Sequence, residues 1–260
     1  MIPKVIHYCW FGNNPLPEEA VKCIESWKKF FPEYEIKEWN EENFDLECCD
    51  YVKEAAKIKK WAYVSDFARM KILYENGGIY LDVDVEIIKR FDDIIEKGPY
   101  LGCERGEKIA VNTGLGFGAE AGSELIKEIM DTYMKDHFLD SHGNPIFYTV
   151  VDRVTNILKE YGLKESEKIQ HIKDFDIYPA DFFCPMDYKT GEMDITENTK
   201  TIHWYTASWF PADYLKRRKK ALKIRRRVGG KKGFLVAWVY MKSSGLVGKI
   251  RRVLRKNSKN

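Results

Sequence analysis

Residues 77–86 read Gly-Gly-Ile-Tyr-Leu-Asp-Val-Asp-Val-Glu, and more of the architecture hangs on them than on any other ten residues. Two glycines lead into a segment rich in β-branched and aromatic side chains, which predicts a tight turn followed by a strand. Side chains alternate along a strand, so Asp82 and Asp84 are expected to share one face, with Leu81, Val83 and Val85 on the other. Two like charges side by side are costly to bury unless a cation or hydroxyl groups satisfy them. One reading is therefore a strand that ends at a divalent metal holding a phosphorylated ligand. The other is a half-exposed edge strand whose acidic face is merely solvated. The D-x-D spacing alone does not separate them.

The flanking sequence adds context. Residues 62–74 place apolar side chains at helical spacing, and Asn76-Gly77-Gly78 supplies the stop signal. The unit is helix, glycine turn, strand, D-x-D. Asp66 and Arg69, three apart, fall on one helical face. Ile2-Pro3-Lys4-Val5-Ile6-His7-Tyr8-Cys9-Trp10 reads as a short strand running into a glycine loop, and residues 201–209 read Thr-Ile-His-Trp-Tyr-Thr-Ala-Ser-Trp. Four elements, I-P-K-x-I-H-x-x-W, S-D-x-x-R, G-G-x-Y-x-D-x-D and a late H-x-x-x-x-S-W, follow one another between residue 1 and about residue 213. In this the chain resembles the D-x-D sugar-transferase family of the fungal initiating mannosyltransferases and bacterial capsule and surface-polysaccharide transferases, with the clostridial glucosylating toxins as distant relatives.

The resemblance implies roles at the matching positions. Asp84 ligates a divalent cation, Mn²⁺ or Mg²⁺, that bridges the phosphates of a nucleotide-sugar, and Asp82 contacts ribose and sugar hydroxyls, the metal, or both. His203 is implied as a further metal ligand, the alternative for a lone histidine being a structural role. Ser208 and Trp209 are donors suited to the β-phosphate. Trp10 stacks on the nucleotide base or packs as a core tryptophan. Asp66 and Arg69 hold the donor sugar and its phosphate, an i, i+3 ion pair being the plainer reading. Tyr80 lines the same pocket or simply packs at its strand position, Asn112 approaches the sugar, and residues 141–149 are set on the acceptor side by their order in the chain alone.

Composition fits this class. The 260 residues can bury a sizeable core, and aromatic content is high, with 7 Trp, 15 Tyr and 14 Phe. The opening apolar stretch is interrupted by Lys4 and His7, so neither a signal peptide nor a membrane span is expected there, and the catalytic body is placed in the cytoplasm. Six scattered cysteines, without C-x-x-C or Cys/His ligand spacing, read as reduced thiols with no zinc site. Charge is unevenly spread. Residues 1–213 hold all 40 acids against 25 bases, whereas residues 214–260 hold 18 Lys plus Arg and no acid. Apolar and basic side chains interleave in that tail, which favours an anionic membrane surface, at the inner face of the cell membrane, over nucleic acid as its partner. A solvated tail is the plain alternative.

The expected architecture is an α/β fold: strands over 5–10 and 34–39, a helix over 17–30, mostly helix over 54–75, strands near 100–103 and 111–118, helices over 123–134 and 150–161, and late strands over 172–179 and 201–203. The resemblance implies a three-layer α/β/α sandwich of GT-A type with a mixed, mostly parallel sheet over residues 1–213. Residues 214–260 are expected to form a basic amphipathic helical tail. The function implied is metal-dependent retaining transfer of a hexosyl unit from a UDP- or GDP-sugar to a glycan, probed against two other classes. A glycoside hydrolase also uses paired carboxylates, but flanking the scissile bond. A non-catalytic adaptor accounts for the basic tail and leaves the acidic strand unexplained.

Overall fold

The computed structural model describes residues 1–206 and scattered helical positions between 213 and 241. The chain divides into one compact unit of Met1–Tyr188 with Glu192–Thr206 and a second of Lys189–Gly191 with Ala207–Asn260.

The first unit alternates strands and helices. β1 (Val5–Cys9), α1 (Glu18–Phe30) and β2 (Glu35–Trp39) are followed by α2 (Asp50–Lys57) and α3 (Trp61–Asn76). The single helix expected over 54–75 is two, because the chain turns at Lys59 with a φ of 56°. Then come β3 (Gly78–Tyr80), β4 (Val85–Ile87), α4 (Asp92–Ile95), β5 (Tyr100–Cys103), β6 (Val111–Asn112) and β7 (Phe117–Ala119). The unit closes with α5 (Glu124–Met134), α6 (Val150–Glu160), β8 (Gln170–Ile172), β9 (Phe175–Tyr178), α7 (Ala180–Phe183) and β10 (Thr201–His203).

The main sheet runs β2-β1-β3-β7-β5-β9-β8, with β6 paired to β5. β2, β1 and β3 are parallel, as are β5 and β9; β7 is antiparallel to both its neighbours. The sheet is mixed and its strands mostly point one way. A separate antiparallel ribbon pairs β10 with β4.

Period-2 alternation in the strands feeds two cores. Ile6, Tyr8, Ile79, Tyr100 and Tyr178 meet Ala20, Ile24 and Trp27 of α1 and Phe183 of α7 on one face. Cys9, Tyr80, Leu101, Phe117 and Ile177 meet α2, α3, α5 and α6 on the other. The result is three layers, helix on sheet on helix.

Helix α3 enters β3 through a turn that two buried groups fix. Gly78 has a φ of 105°, and a Cβ there would lie 2.8 Å from the Val5 carbonyl oxygen and 2.9 Å from His7 Nε2. His7, 1% exposed, sits against this turn: Trp39 Nε1 donates to its Nδ1 at 3.0 Å, and its Nε2 reaches the Gly77 carbonyl at 3.0 Å. Burial pushes its pKa down to about 4 against the Gly77 bond, so the ring is neutral and Nε2 carries the hydrogen.

Candidate active site

The expected continuous strand through both aspartates is interrupted. β3 ends at Tyr80 and β4 begins at Val85. Between them the Val85 N–H donates to the Asp82 carbonyl at 3.0 Å, closing a four-residue turn. Leu81, Val83, Val85 and Ile87 still join one core, as the alternation predicts. The carboxylates, however, do not lie side by side on one strand face. The turn gives Asp82 to the main sheet and Asp84 to the β4–β10 ribbon, and each finds its own partners.

Asp82 is met by α3. Arg69 is 4% exposed and places Nη2 3.0 Å from Asp82 Oδ1 and 3.2 Å from Asp66 Oδ1. Its Nη1 approaches Asp82 Oδ2 at 3.4 Å, and its Nε donates to the Ser65 carbonyl at 3.1 Å. The guanidinium lies 4.7 Å from the centroid of the Tyr80 ring, whose hydroxyl donates to Asp82 Oδ1 at 3.2 Å. Burial pushes Asp66 up to about 6; Arg69 opposes the rise and Asp82 adds to it. Asp66, Arg69, Tyr80 and Asp82 thus form one cluster, with the i, i+3 pair buried rather than on the surface.

Gly114 closes the back of that cluster. Its carbonyl accepts the Asp82 N–H at 2.9 Å, and a Cβ there would fall 1.8 Å from Asp82 Oδ2 and 3.0 Å from Arg69 Nη1. Asn112, 6% exposed, holds this glycine by accepting its N–H at 2.7 Å, while its own amide donates to Glu104 Oε1 at 2.7 Å. Asn112 therefore acts on the loop behind the aspartate.

Asp84 is met by the late segment, because β10 runs antiparallel to β4 and sets His203 opposite Val85. His203 Nε2 lies 3.1 Å from Asp84 Oδ1. The Thr206 N–H and hydroxyl both donate to Oδ2, at 2.8 and 3.0 Å. Burial opposes ionisation of Asp84, but His203 and the Thr206 bonds outweigh it and hold the pKa down at about 2. Burial likewise opposes the His203 charge, and Asp84 beside it raises the pKa well above the usual histidine value.

Trp10 follows β1 and is half-buried, with Nε1 donating to the Asn14 carbonyl at 2.6 Å; Phe11 beside it stacks on Trp61 at the start of α3, 6.4 Å between centroids. Ser208 and Trp209 lie outside the described residues. Gly114, Glu104 and Thr206 are site residues that sequence reading missed. Only Gly114, in Asn112-Thr113-Gly114, carried a visible signal.

Trp10, Asp82 and Glu104 all follow the carboxyl ends of strands running in one direction, β1, β3 and β5. Open α/β sheets bind their ligands at that edge. The donor chemistry fits a hard divalent cation: the carboxylates of Asp84 and Asp82, which His203 joins as an imidazole only on giving up the proton that Asp84 stabilises. The His203 Nδ1 is buried without a hydrogen-bond partner. Among the described residues no three such side chains already converge on one point.

Fold and site together define an α/β protein with a D-x-D turn at the carboxyl edge of its main sheet. Residues 17–100 match the family described as "glycosyltransferase sugar-binding region containing DXD motif". The chain is 30% identical over 148 residues to an uncharacterized glycosyltransferase of Acanthamoeba polyphaga mimivirus, covering 54% of this chain and 57% of that protein. It is 34% identical over 98 residues to inositol phosphoceramide mannosyltransferase 3 of Schizosaccharomyces pombe, covering 36% of this chain and 27% of that one. The chain thus spans little more than half the length of one relative and about a quarter of the other. Among solved structures, a glycosyltransferase titled PaToxG superposes with a TM-score of 0.47 at 18% identity, over 61% of this chain and 69% of that one.

Proposed function

We propose that this protein is a metal-dependent, retaining hexosyltransferase that moves a sugar from a UDP- or GDP-sugar to a glycan acceptor, lipid-linked, in bacterial surface-polysaccharide synthesis. The observation that carries the reading is the pair of D-x-D carboxylates on one turn at the carboxyl edge of the sheet, one gripped by Arg69 and the other by His203 and Thr206. Asp84, Asp82 and His203 would hold Mn²⁺ or Mg²⁺, which supplies charge neutralisation at the departing nucleoside diphosphate. Arg69 fixes the Asp82 and Asp66 carboxylates as acceptors for ribose and donor-sugar hydroxyls, and Tyr80 orients Asp82 from the strand side. Trp10 is placed to cover the base, and Ser208 and Trp209 supply donors to the β-phosphate.

In the transfer, the anomeric C–O bond to the diphosphate breaks and a bond from the acceptor hydroxyl oxygen forms on the same face. The acceptor proton passes to the leaving diphosphate oxygen, so no side chain is needed as nucleophile. The basic tail is proposed to seat the enzyme on the anionic inner face of the membrane, where a lipid-linked acceptor is found. The test is a screen of full-length protein against UDP- and GDP-sugars with and without Mn²⁺, read by thermal shift and nucleotide release. A metal-dependent shift with release that rises on adding acceptor sugars supports the reading. No shift with any donor, in folded protein, overturns it, and release that ignores acceptor points to a hydrolase.

A further inference from the structure

We propose that the exposed ring of Phe147, backed by Tyr63, is the platform on which the acceptor sugar stacks; the assignment to the acceptor rests on the transferase reading. Phe147 is 63% exposed and Ile146 beside it 45%. The segment that carries them is pinned along its length. Glu54 accepts the N–H groups of Phe138 and Leu139 at 2.8 and 2.9 Å, and Asp140 Oδ1 accepts those of His142 and Asn144, both at 2.8 Å. Ile146 donates to the Phe138 carbonyl at 2.8 Å, and the Thr149 hydroxyl caps α6 through Asp152 N–H at 3.1 Å. The backbone on either side of Phe147 is thereby held in place, which lowers the ordering cost of a ligand on the ring.

The neighbouring Tyr148 takes the inward place. Its hydroxyl accepts from Asn156 Nδ2 at 3.1 Å, and Arg153 lies 4.9 Å from its ring centroid. Phe147 instead lies against Tyr63, tilted, and against Phe138, nearly perpendicular, with ring centroids 5.9 and 6.5 Å away. Chain position and one approach tie this shelf to the site. Tyr63 precedes Asp66 by three residues on α3, so both lie on one helical face. The Val150 N–H, three residues beyond Phe147, faces the Asp66 carboxylate. The shelf therefore adjoins the Asp66–Arg69–Asp82 cluster.

Its chemistry suits a hexose. A flat aromatic face matches the C–H face of a pyranose ring, and Lys60 Nζ, over the ring at 5.8 Å from the Phe147 centroid, supplies a donor for a sugar hydroxyl. A lipid or a second copy of the chain would be served by a wider apolar patch without that cation.

The test is saturation-transfer NMR of the full chain with methyl glucosides, galactosides and mannosides of both anomers, in wild type, Phe147→Ala and Phe147→Trp. The expected result is ring C–H signals for at least one glycoside in wild type and in Phe147→Trp, weakened roughly tenfold in Phe147→Ala. Thermal shift with nucleotide and Mn²⁺ should be the same in all three proteins. Absence of signal from every glycoside in wild type, or equal signal in Phe147→Ala, overturns the platform. So does a change in sedimentation of Phe147→Ala with sugar signals unchanged, which marks a self-association face. Phe147-dependent sugar contact in a protein that binds no nucleotide leaves the platform standing and overturns the transferase reading.

Discussion

Gly114 has no side chain, and the site depends on that. With a Cβ built there only 1.8 Å from Asp82 Oδ2, Gly114→Ala must displace the carboxylate and with it the Arg69 contact. The expected outcome is a folded protein, by circular dichroism, destabilised by about 1–3 kcal/mol and at least ~100-fold slower in transfer. Asp84 supports a second prediction, in which the pH dependence follows from its neighbours. Its pKa is lowered from 3.8 to about 2, so its stabilisation is present above about pH 4 and fades as pH falls toward 2. That of His203, raised above 6.5, is complete below that value and fades only as pH climbs through the raised pKa. The stability gap between wild type and Asp84→Asn in urea titrations should therefore be widest between about pH 4 and 6.5. Metal-dependent nucleotide binding should be lost in that variant throughout the range. The cluster around Asp82 was legible only in part: Asp66 and Arg69 announce each other by spacing, whereas Glu104 reaches it through folding that no local pattern records.

At the level of elements, β1, α1, β2, α5, α6 and β10 could be read closely from the chain, because their apolar period is regular and their ends carry Pro, Gly, Ser or Thr signals. The break inside residues 77–86 could not. Leu81, Val83, Val85 and Ile87 keep a period of two whether the backbone is a strand or a turn that buries its middle residue, so alternation is blind to the difference. His7 shows the same limit. Its place in an apolar strand is plain, but its bond to Gly77 depends on β3 pairing with β1, seventy residues away. That bond makes a prediction. With the folded pKa at about 4 against 6.5, the unfolded chain takes up the proton first, so stability is full above about pH 6.5 and is lost on acidification toward pH 4. The His7 contribution to that loss is roughly 3 kcal/mol. Asp66 works the other way between about pH 4 and 6, since its folded pKa is raised. Denaturant midpoints of His7→Gln should accordingly fall much less steeply with acidification than those of wild type.

Across the whole molecule, charge is divided by position: acids outnumber bases by fifteen over residues 1–213, and residues 214–260 carry 18 bases and no acid. Such a chain should sediment with phosphatidylserine vesicles and not with phosphatidylcholine vesicles, and release in high salt, since each base near an anionic surface contributes about 1 kcal/mol. Equal binding to both vesicles would remove the membrane role. The proposed donor site is itself shared between two hydrogen-bonded systems. Asp82 is anchored to the seven-strand path, while Asp84 is anchored to a ribbon of two three-residue strands. Short ribbons open more readily than the sheets beside them. The catalytic apparatus can therefore come apart while the molecule remains folded. Warming or mild urea should extinguish transfer before far-UV circular dichroism moves, with hydrogen exchange rising first at residues 201–206, and a tightly bound nucleotide should bring the two transitions together by fastening the ribbon to the sheet.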